Sequence, residues 1–435
     1  MSDEPDKLKE YKDEELTRAE RSGAGISISL PKTFISFKNP VYRLYYGSMA
    51  GHWSSMNMQT VARSLLIYRI TGSGAILGLT ALAAAIPMIL LSLPAGVIAD
   101  RVQKKTVIQA GQISSAVASL GVALFLVFGY LGPENPGSWW VLIVSAVIQG
   151  SILGVIMPSR QAIISEIVSN EHLMNAISLN NMGMNTFRLL APALTGVLID
   201  AFDFYIVYLI MTGMYIMSTV CIAMVPPTRT QTVRVSGNTL AEVREGWRYI
   251  RREKAVFLVL VFSIFATVLG MPYAQLLPMF TEGILKVGAT EMGLLISVSG
   301  AGAIIGSLVL ASLANKRRGV IMLLSGLVMS LALLVFAFSQ WWYLSLFIIM
   351  LVGMGNTGQM ALGNSLIQYY TDATYRGRVM SFFMMGFGFG SLGAFFAGIL
   401  AQAYGVQWAV GGMAFVLVII TLWVLAFARP LRKLD

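Results

Sequence analysis

The stretch GVIADRVQKK (96–105) decides the fold, because it sets one acid and three bases directly behind an uncharged run, residues 75–99. About twenty apolar residues suffice for a helix to cross a bilayer. A run longer than that, followed at once by clustered charge, reads as a membrane-crossing helix and its water-exposed end. The same pattern recurs outward in both directions. The chain has 435 residues, of which 56% are hydrophobic and 12% charged, roughly half the charge of an ordinary soluble domain. The apolar runs are continuous rather than alternating, which argues for helices over a barrel.

Twelve spans are expected near 42–68, 75–99, 106–130, 139–158, 174–199, 204–225, 256–280, 290–314, 320–338, 341–366, 377–403 and 407–428. Most connections are short. The exception, 227–254, follows Pro226-Pro227 and divides the spans six and six; its half from Asn238 has a helix-start residue and mixed charge, and reads as a surface helix. The fold class is therefore an all-α polytopic membrane protein of twelve transmembrane helices in two six-helix bundles. Residues 1–36 form a mixed-charge tail, 37–226 the first bundle, 227–254 a linker with an amphipathic helix, 255–429 the second bundle and 430–435 the C-terminus.

Orientation follows from Lys and Arg, which accumulate in cytoplasmic loops. With the N-terminus inside, Arg69 and Lys286 fall outside and Arg63 and Arg188 within spans; every other Lys and Arg lies on the inner side. Both termini are expected in the cytoplasm, and the net charge of +10 reflects topology rather than nucleic-acid binding. The single cysteine, Cys221, excludes an internal disulfide. No signal-peptide pattern opens the chain.

Within 96–105, Gly96, Asp100, Arg101, Lys104 and Lys105 match the signature Gly-x-x-x-Asp-Arg-x-x-Arg/Lys-Arg/Lys between the second and third helices of the major facilitator superfamily, which the chain resembles from residue 37 to 429. A weaker copy, ASLANKRR (311–318), has Ala311, Asn315 and Lys316 in the equivalent places. MNAISLNNMG (174–183) and GRVMSFFMMG (377–386) form a second pair, as a six-plus-six duplication requires. Residues 40–101 and 175–199 resemble bacterial exporters of the macrolide-efflux and enterobactin-exporter type. The chain departs from drug–proton antiporters at Ala146, where many carry Arg, and at Ala191-Pro192, where their motif has Gly-Pro.

The resemblance implies a central cavity lined by helices 1, 2, 4, 5, 7, 8, 10 and 11. Polar residues inside spans are expensive in lipid and should face protein or water. Span one carries His52, Ser55, Gln59 and Arg63 at helical spacing, and span five carries Ser178, Asn181, Asn185 and Arg188. With Gln149, Gln275, Asn356, Gln359 and Asn364 these are the candidate substrate-binding groups. The acids all lie in tails, loops or span ends, so Arg63 and Arg188 have no evident in-membrane carboxylate. A guanidinium there suits a carboxylate, a phosphate or another strong acceptor; the bland alternative is that each Arg binds carbonyls and holds helices together. His52, the one histidine within a span, is the candidate for proton coupling, against a plain structural role. The candidate conformational gate comprises Gly96, Asp100, Arg101, Lys104, Lys105, Glu166, Asn315, Lys316, Arg376 and Arg378, with Asp100 expected against the N-terminus of helix eleven and Glu166 against the loop 315–319.

GMGNTG (353–358) matches a dinucleotide fingerprint, but it lies inside a span with no strand before it and reads as helix packing. No Walker loop, metal cluster or nucleophile–base pattern occurs, so no catalytic residue, metal or cofactor is expected, and the chain is not expected to be an enzyme. The expectation is a monomeric secondary transporter of a bacterial inner membrane, working by alternating access and exporting an amphiphilic organic compound, drug-like or siderophore. Its partners are the small-molecule substrate, membrane lipids and, as candidate coupling ion, protons. The alternatives are a carrier of an anionic solute or lysolipid using Arg63 and Arg188, and a non-transporting membrane receptor or scaffold.

Overall fold

The computed structural model describes residues 33–227, 239–313, 317–432 and 434, without the side chains of 93–101, 239–243 and Phe387. The expected tail thus lies, up to residue 32, outside the described residues. Asn39 starts the first long helix, α1 (Pro40–Thr71): its side-chain oxygen accepts from the Val41 and Tyr42 amides at 2.9 and 3.4 Å, and Pro40 sits where no N–H is needed. Gly72, at φ 59°, ends it. Then follow α2 (Gly74–Arg101), α3 (Lys104–Val127), α4 (Trp140–Ile167), α5 (Leu173–Phe202) and α6 (Phe204–Ala223). The linker supplies α7 (Thr239–Arg252). The second bundle comprises α8 (Lys254–Gly270), α9 (Ala289–Ser312), α10 (Arg318–Phe338), α11 (Trp342–Tyr370), α12 (Ala373–Tyr404) and α13 (Val406–Phe427).

Eleven helices among the described residues are long and apolar enough to cross a membrane. The remaining expected span, α1, has 32 residues, but His52, Asn57, Gln59 and Arg63 lower its hydropathy. The seventh span differs from its expected continuous form. After α8 the chain turns at Met271, makes one short helix (Pro272–Gln275), and continues as a π-helical turn (Met279–Ile284). Pro272 and Pro278 each remove a helical N–H donor, which is why the regular ladder breaks here.

Polar side chains knit α1 to α3 and α6. Ser48 Oγ and Gln112 bond across α1 and α3, while Ser218 Oγ donates to the Ser48 carbonyl at 2.7 Å and Ser119 Oγ to the Tyr208 carbonyl at 2.9 Å. Where α7 meets α12, Ile250 is fully buried, Trp247 packs on Phe382, and Tyr249 stacks on Tyr375 at 4.5 Å. The bundles meet along two helix pairs, α5 with α9 and α2 with α12.

Candidate functional site

Between the bundles lies a cavity of about 540 Å³, bordered by Arg188 of α5, Met271 at the helix break, Asn356 and Asn364 of α11, and Phe383 and Met384 of α12. The break after α8 is what brings Met271 to the cavity wall; discontinuous helices beside a site are a recurrent transporter device. Arg188 is accessible, and none of the three ion pairs among the described residues includes it. Asn181 and Asn185 are accessible on the same face of α5, seven and three residues before it. The lining thus pairs one guanidinium and two carboxamides with thioether and aromatic surface, the chemistry of a site for an amphiphile bearing a strong acceptor.

Other expected contributors lie elsewhere. Gln359 is 2% exposed and its amide donates to Ser263 Oγ at 3.2 Å within the second bundle. The Gln275 amide donates to the Leu77 carbonyl at 2.9 Å, tying the broken helix to α2. His52 and Gln59 are buried in the first bundle, whereas Arg63 and Gln149 are partly exposed. His52 stands edge-on to Tyr215 of α6 at 6.0 Å, Arg63 is adjacent to Tyr208 and Tyr215, and Gln149 to Tyr215. The expectation of a span-one stripe facing the cavity is corrected for His52 and Gln59. Helical spacing assigns these residues a common face, and the serine contacts to α3 and α6 turn that face inward.

The cavity is closed at the end carrying Gly72, Asp203 and Gly288, which the reading of the sequence expects outside. There Arg69 pairs with Glu282 at 2.7 Å and the Gly74 amide donates to Gln402 Oε1 at 3.0 Å. Asp200, at the end of α5, sits on the N-terminus of α9 and accepts from the Ala289 amide at 3.3 Å, the Thr290 amide at 2.7 Å and Thr290 Oγ1 at 2.6 Å. Gly288 is the N-cap of α9 and has no side chain to offer, so these orphan donors take a carboxylate from the other bundle. The helices touch backbone to backbone: a Cβ added at Gly196 would overlap the Ala289 carbonyl oxygen, and one at Gly293 the Pro192 carbonyl oxygen. Further along, a Cβ at Gly300 would clear Arg188 and Leu189 by 3.7 Å. The gap therefore widens away from the closed end.

Asp200→Asn, which keeps the shape and removes the charge, is expected to weaken this closure by ~0.5–2 kcal/mol. A cysteine placed at Thr290 should then label several-fold faster with a membrane-impermeant reagent. Unchanged labelling would show that the apolar helix contact alone holds this end.

The expected gate at the opposite end is only partly described. The side chains of Gly96, Asp100 and Arg101, and the residues Asn315 and Lys316, lie outside the described residues, so the Asp100 contact does too. Glu166 pairs with Lys104, and its expected pairing with the loop 315–319 falls in part outside the described residues. The first turn of α3 and the last turn of α4 belong to antiparallel neighbours in one bundle, so these two meet locally. Lys105 donates to the Ala223 carbonyl at 2.7 Å and to that of Val225, capping α6. Arg378 pairs with Glu245 of α7 at 2.6 Å, and Arg376 is exposed. Sequence reasoning missed Asp200 and Arg160. Asp200 had a legible signal in the capless Gly288-Ala289-Thr290; Arg160 fell just past an expected span end, and α4 continues beyond it to Ile167.

A two-bundle helical membrane protein with a central cavity closed at one end has the form of a secondary transporter. The chain belongs to the transmembrane secretion effector family of the major facilitator superfamily, whose family model matches residues 32–435. It is 24% identical over 338 residues to the staphyloferrin A transporter of Staphylococcus aureus, covering 76% of this chain and 82% of that protein. It is 21% identical to macrolide efflux protein A of Streptococcus pyogenes, covering 66% and 70%. Against the uncharacterized MFS-type transporter YfiS of Bacillus subtilis it is 24% identical, spanning 43% of this chain and 44% of that one. The crystal structure of the nucleoside transporter NupG superimposes with a TM-score of 0.71 at 14% identity, over 90% and 99% of the two chains. Family and relatives are transporters; the chain is not an enzyme.

Proposed function

We propose that this chain exports an amphiphilic organic compound carrying a carboxylate or comparable acceptor, by rocking its two bundles about the central cavity. The observation that carries the reading is the cavity wall, in which Arg188 meets Asn356 and Asn364 beside Met271, Phe383 and Met384. A guanidinium orients an acidic group through paired donors, and the thioether and aromatic walls accept an apolar body. The relatives named for staphyloferrin A and for macrolide efflux support a cargo of this kind. The concentration of Lys and Arg toward the open end of the cavity supports its facing the cytoplasm, where a bacterial exporter loads.

The anion-carrier alternative rests on Arg63 and Arg188 acting together. The cavity wall includes Arg188 and not Arg63, which is partly exposed beside Tyr208 and Tyr215. His52 is enclosed in the first bundle and forms no part of this proposal. The test is counterflow in proteoliposomes, comparing a labelled carboxylate-bearing siderophore with a labelled macrolide. Exchange of the carboxylate-bearing probe, dependent on Arg188, is the expected outcome; absence of exchange for both would sink the reading.

A further inference from the structure

Helix α7 carries its positive charge on one side. Arg244, Arg248, Arg251 and Arg252 are all exposed, and the ~100° turn per helical residue puts them within about a 100° arc of the helix surface. The opposite side is docked on the second bundle. Gly246 and Ile250 are buried there, Trp247 packs on Phe382 and Tyr249 stacks on Tyr375. Glu245 pairs with Arg378 of α12 and is thereby held away from the arginines, and Glu253 lies beyond the end of the helix. None of the four arginines enters any of the three ion pairs among the described residues; Arg251 stands over the Trp247 ring at 5.1 Å.

The docking also fixes where this stripe lies. Phe382, Phe389 and Phe396 recur every seven residues along α12 and so share one side of it. Phe389 and Phe396 are 39% and 58% exposed, as side chains that meet lipid are, and α7 covers the first of the three through Trp247. Helix α7 therefore sits on the lipid-facing periphery of the second bundle, beside the first turns of α12 and directly before α8, at the end where the cavity is open. That is the level of the phospholipid headgroups, and a half-exposed Trp247 suits it. We propose that the arginine stripe of α7 binds the phosphate groups of anionic phospholipid in the adjacent leaflet. The planar guanidinium fork matches phosphate, and each basic side chain near such a surface adds to the attraction. Bound lipid holds α7 at the membrane surface, and with it the start of α12, whose next residues Phe383 and Met384 border the cavity.

The test is thermal unfolding of the purified full-length protein in dodecyl maltoside micelles, titrated with phosphatidylglycerol or with zwitterionic phosphatidylcholine. Binding to the folded state alone raises Tm in a saturable way, here by about 2–4 °C for phosphatidylglycerol with little response to phosphatidylcholine. Arg248→Gln combined with Arg251→Gln should raise the phosphatidylglycerol midpoint about 30-fold, and lysine at both positions should restore most of the response. Should the double variant not fold, Arg248→Gln alone should raise the midpoint about fivefold. Arg43→Gln combined with Arg429→Gln removes the same charge from other exposed positions and should leave the midpoint unchanged. An equal response to the two lipids would mean general solvation by lipid, and an equal loss in the Arg43 and Arg429 control would mean diffuse surface charge; either overturns the proposal. A rise of the same size with inorganic phosphate alone would put a free anion in place of lipid and overturn it too. The lipid response is read without substrate, so its failure does not touch the export reading, which counterflow tests separately.

Discussion

Arg188→Ala is expected to weaken binding of a carboxylate-bearing substrate by about 10- to 150-fold, the equivalent of ~1.5–3 kcal/mol for a charged hydrogen bond. Arg188→Lys should fall between the two, because an ammonium keeps the charge and loses the planar fork. The expectation rests on placement. Arg188 is accessible at the cavity wall, it enters no ion pair among the described residues, and Asn356 and Asn364 stand on the facing helix. A purely structural arginine would give a different pattern, with Tm lowered in both variants and the affinity of the surviving folded protein unchanged. Measuring both quantities on the same preparations separates the two.

Gly293→Leu should hold the outer end open. Its Cβ would overlap the Pro192 carbonyl oxygen in the bundle-to-bundle contact, and a backbone atom cannot swing aside as a flexible side chain can. Overpacking of this kind costs ~1–3 kcal/mol, which shifts a two-state equilibrium by about 5- to 150-fold toward the form in which α5 and α9 are apart. A cysteine at Thr290, on a Cys221→Ser background, should become readily labelled from outside. Gly213→Leu is the matched control, since nothing lies within 4 Å of its Cβ position. Equal labelling in the two variants would show that the Gly293 contact does not govern the closure.

Several features were legible because they depend on one helix at a time. The length and continuity of the apolar runs determine spanning helices, since in lipid each helix must satisfy its own backbone. Arg188 with Asn181 and Asn185 was readable as one accessible face from helical spacing. The glycines of GMGNTG were readable as packing positions: a Cβ at Gly353 would overlap the Ser299 carbonyl oxygen of α9, and one at Gly355 would lie 2.6 Å from that of Ser325 in α10.

What the sequence alone determined, then, is membership of the helical membrane class, the six-plus-six division and the presence of uncompensated arginines at Arg63 and Arg188. Tertiary structure decided which surfaces those residues address. The azimuth of a helix is set by its neighbours, and lipid offers no hydrophobic bias to fix it in advance. Thus serine and glutamine contacts rotate the face of α1 that carries His52 and Gln59 into the first bundle. The same argument governs the closure, because Asp200 acts only where α9 presents a capless N-terminus from the other bundle. That meeting joins residues about ninety positions apart in the chain, and only the packing of α5 on α9 brings them together.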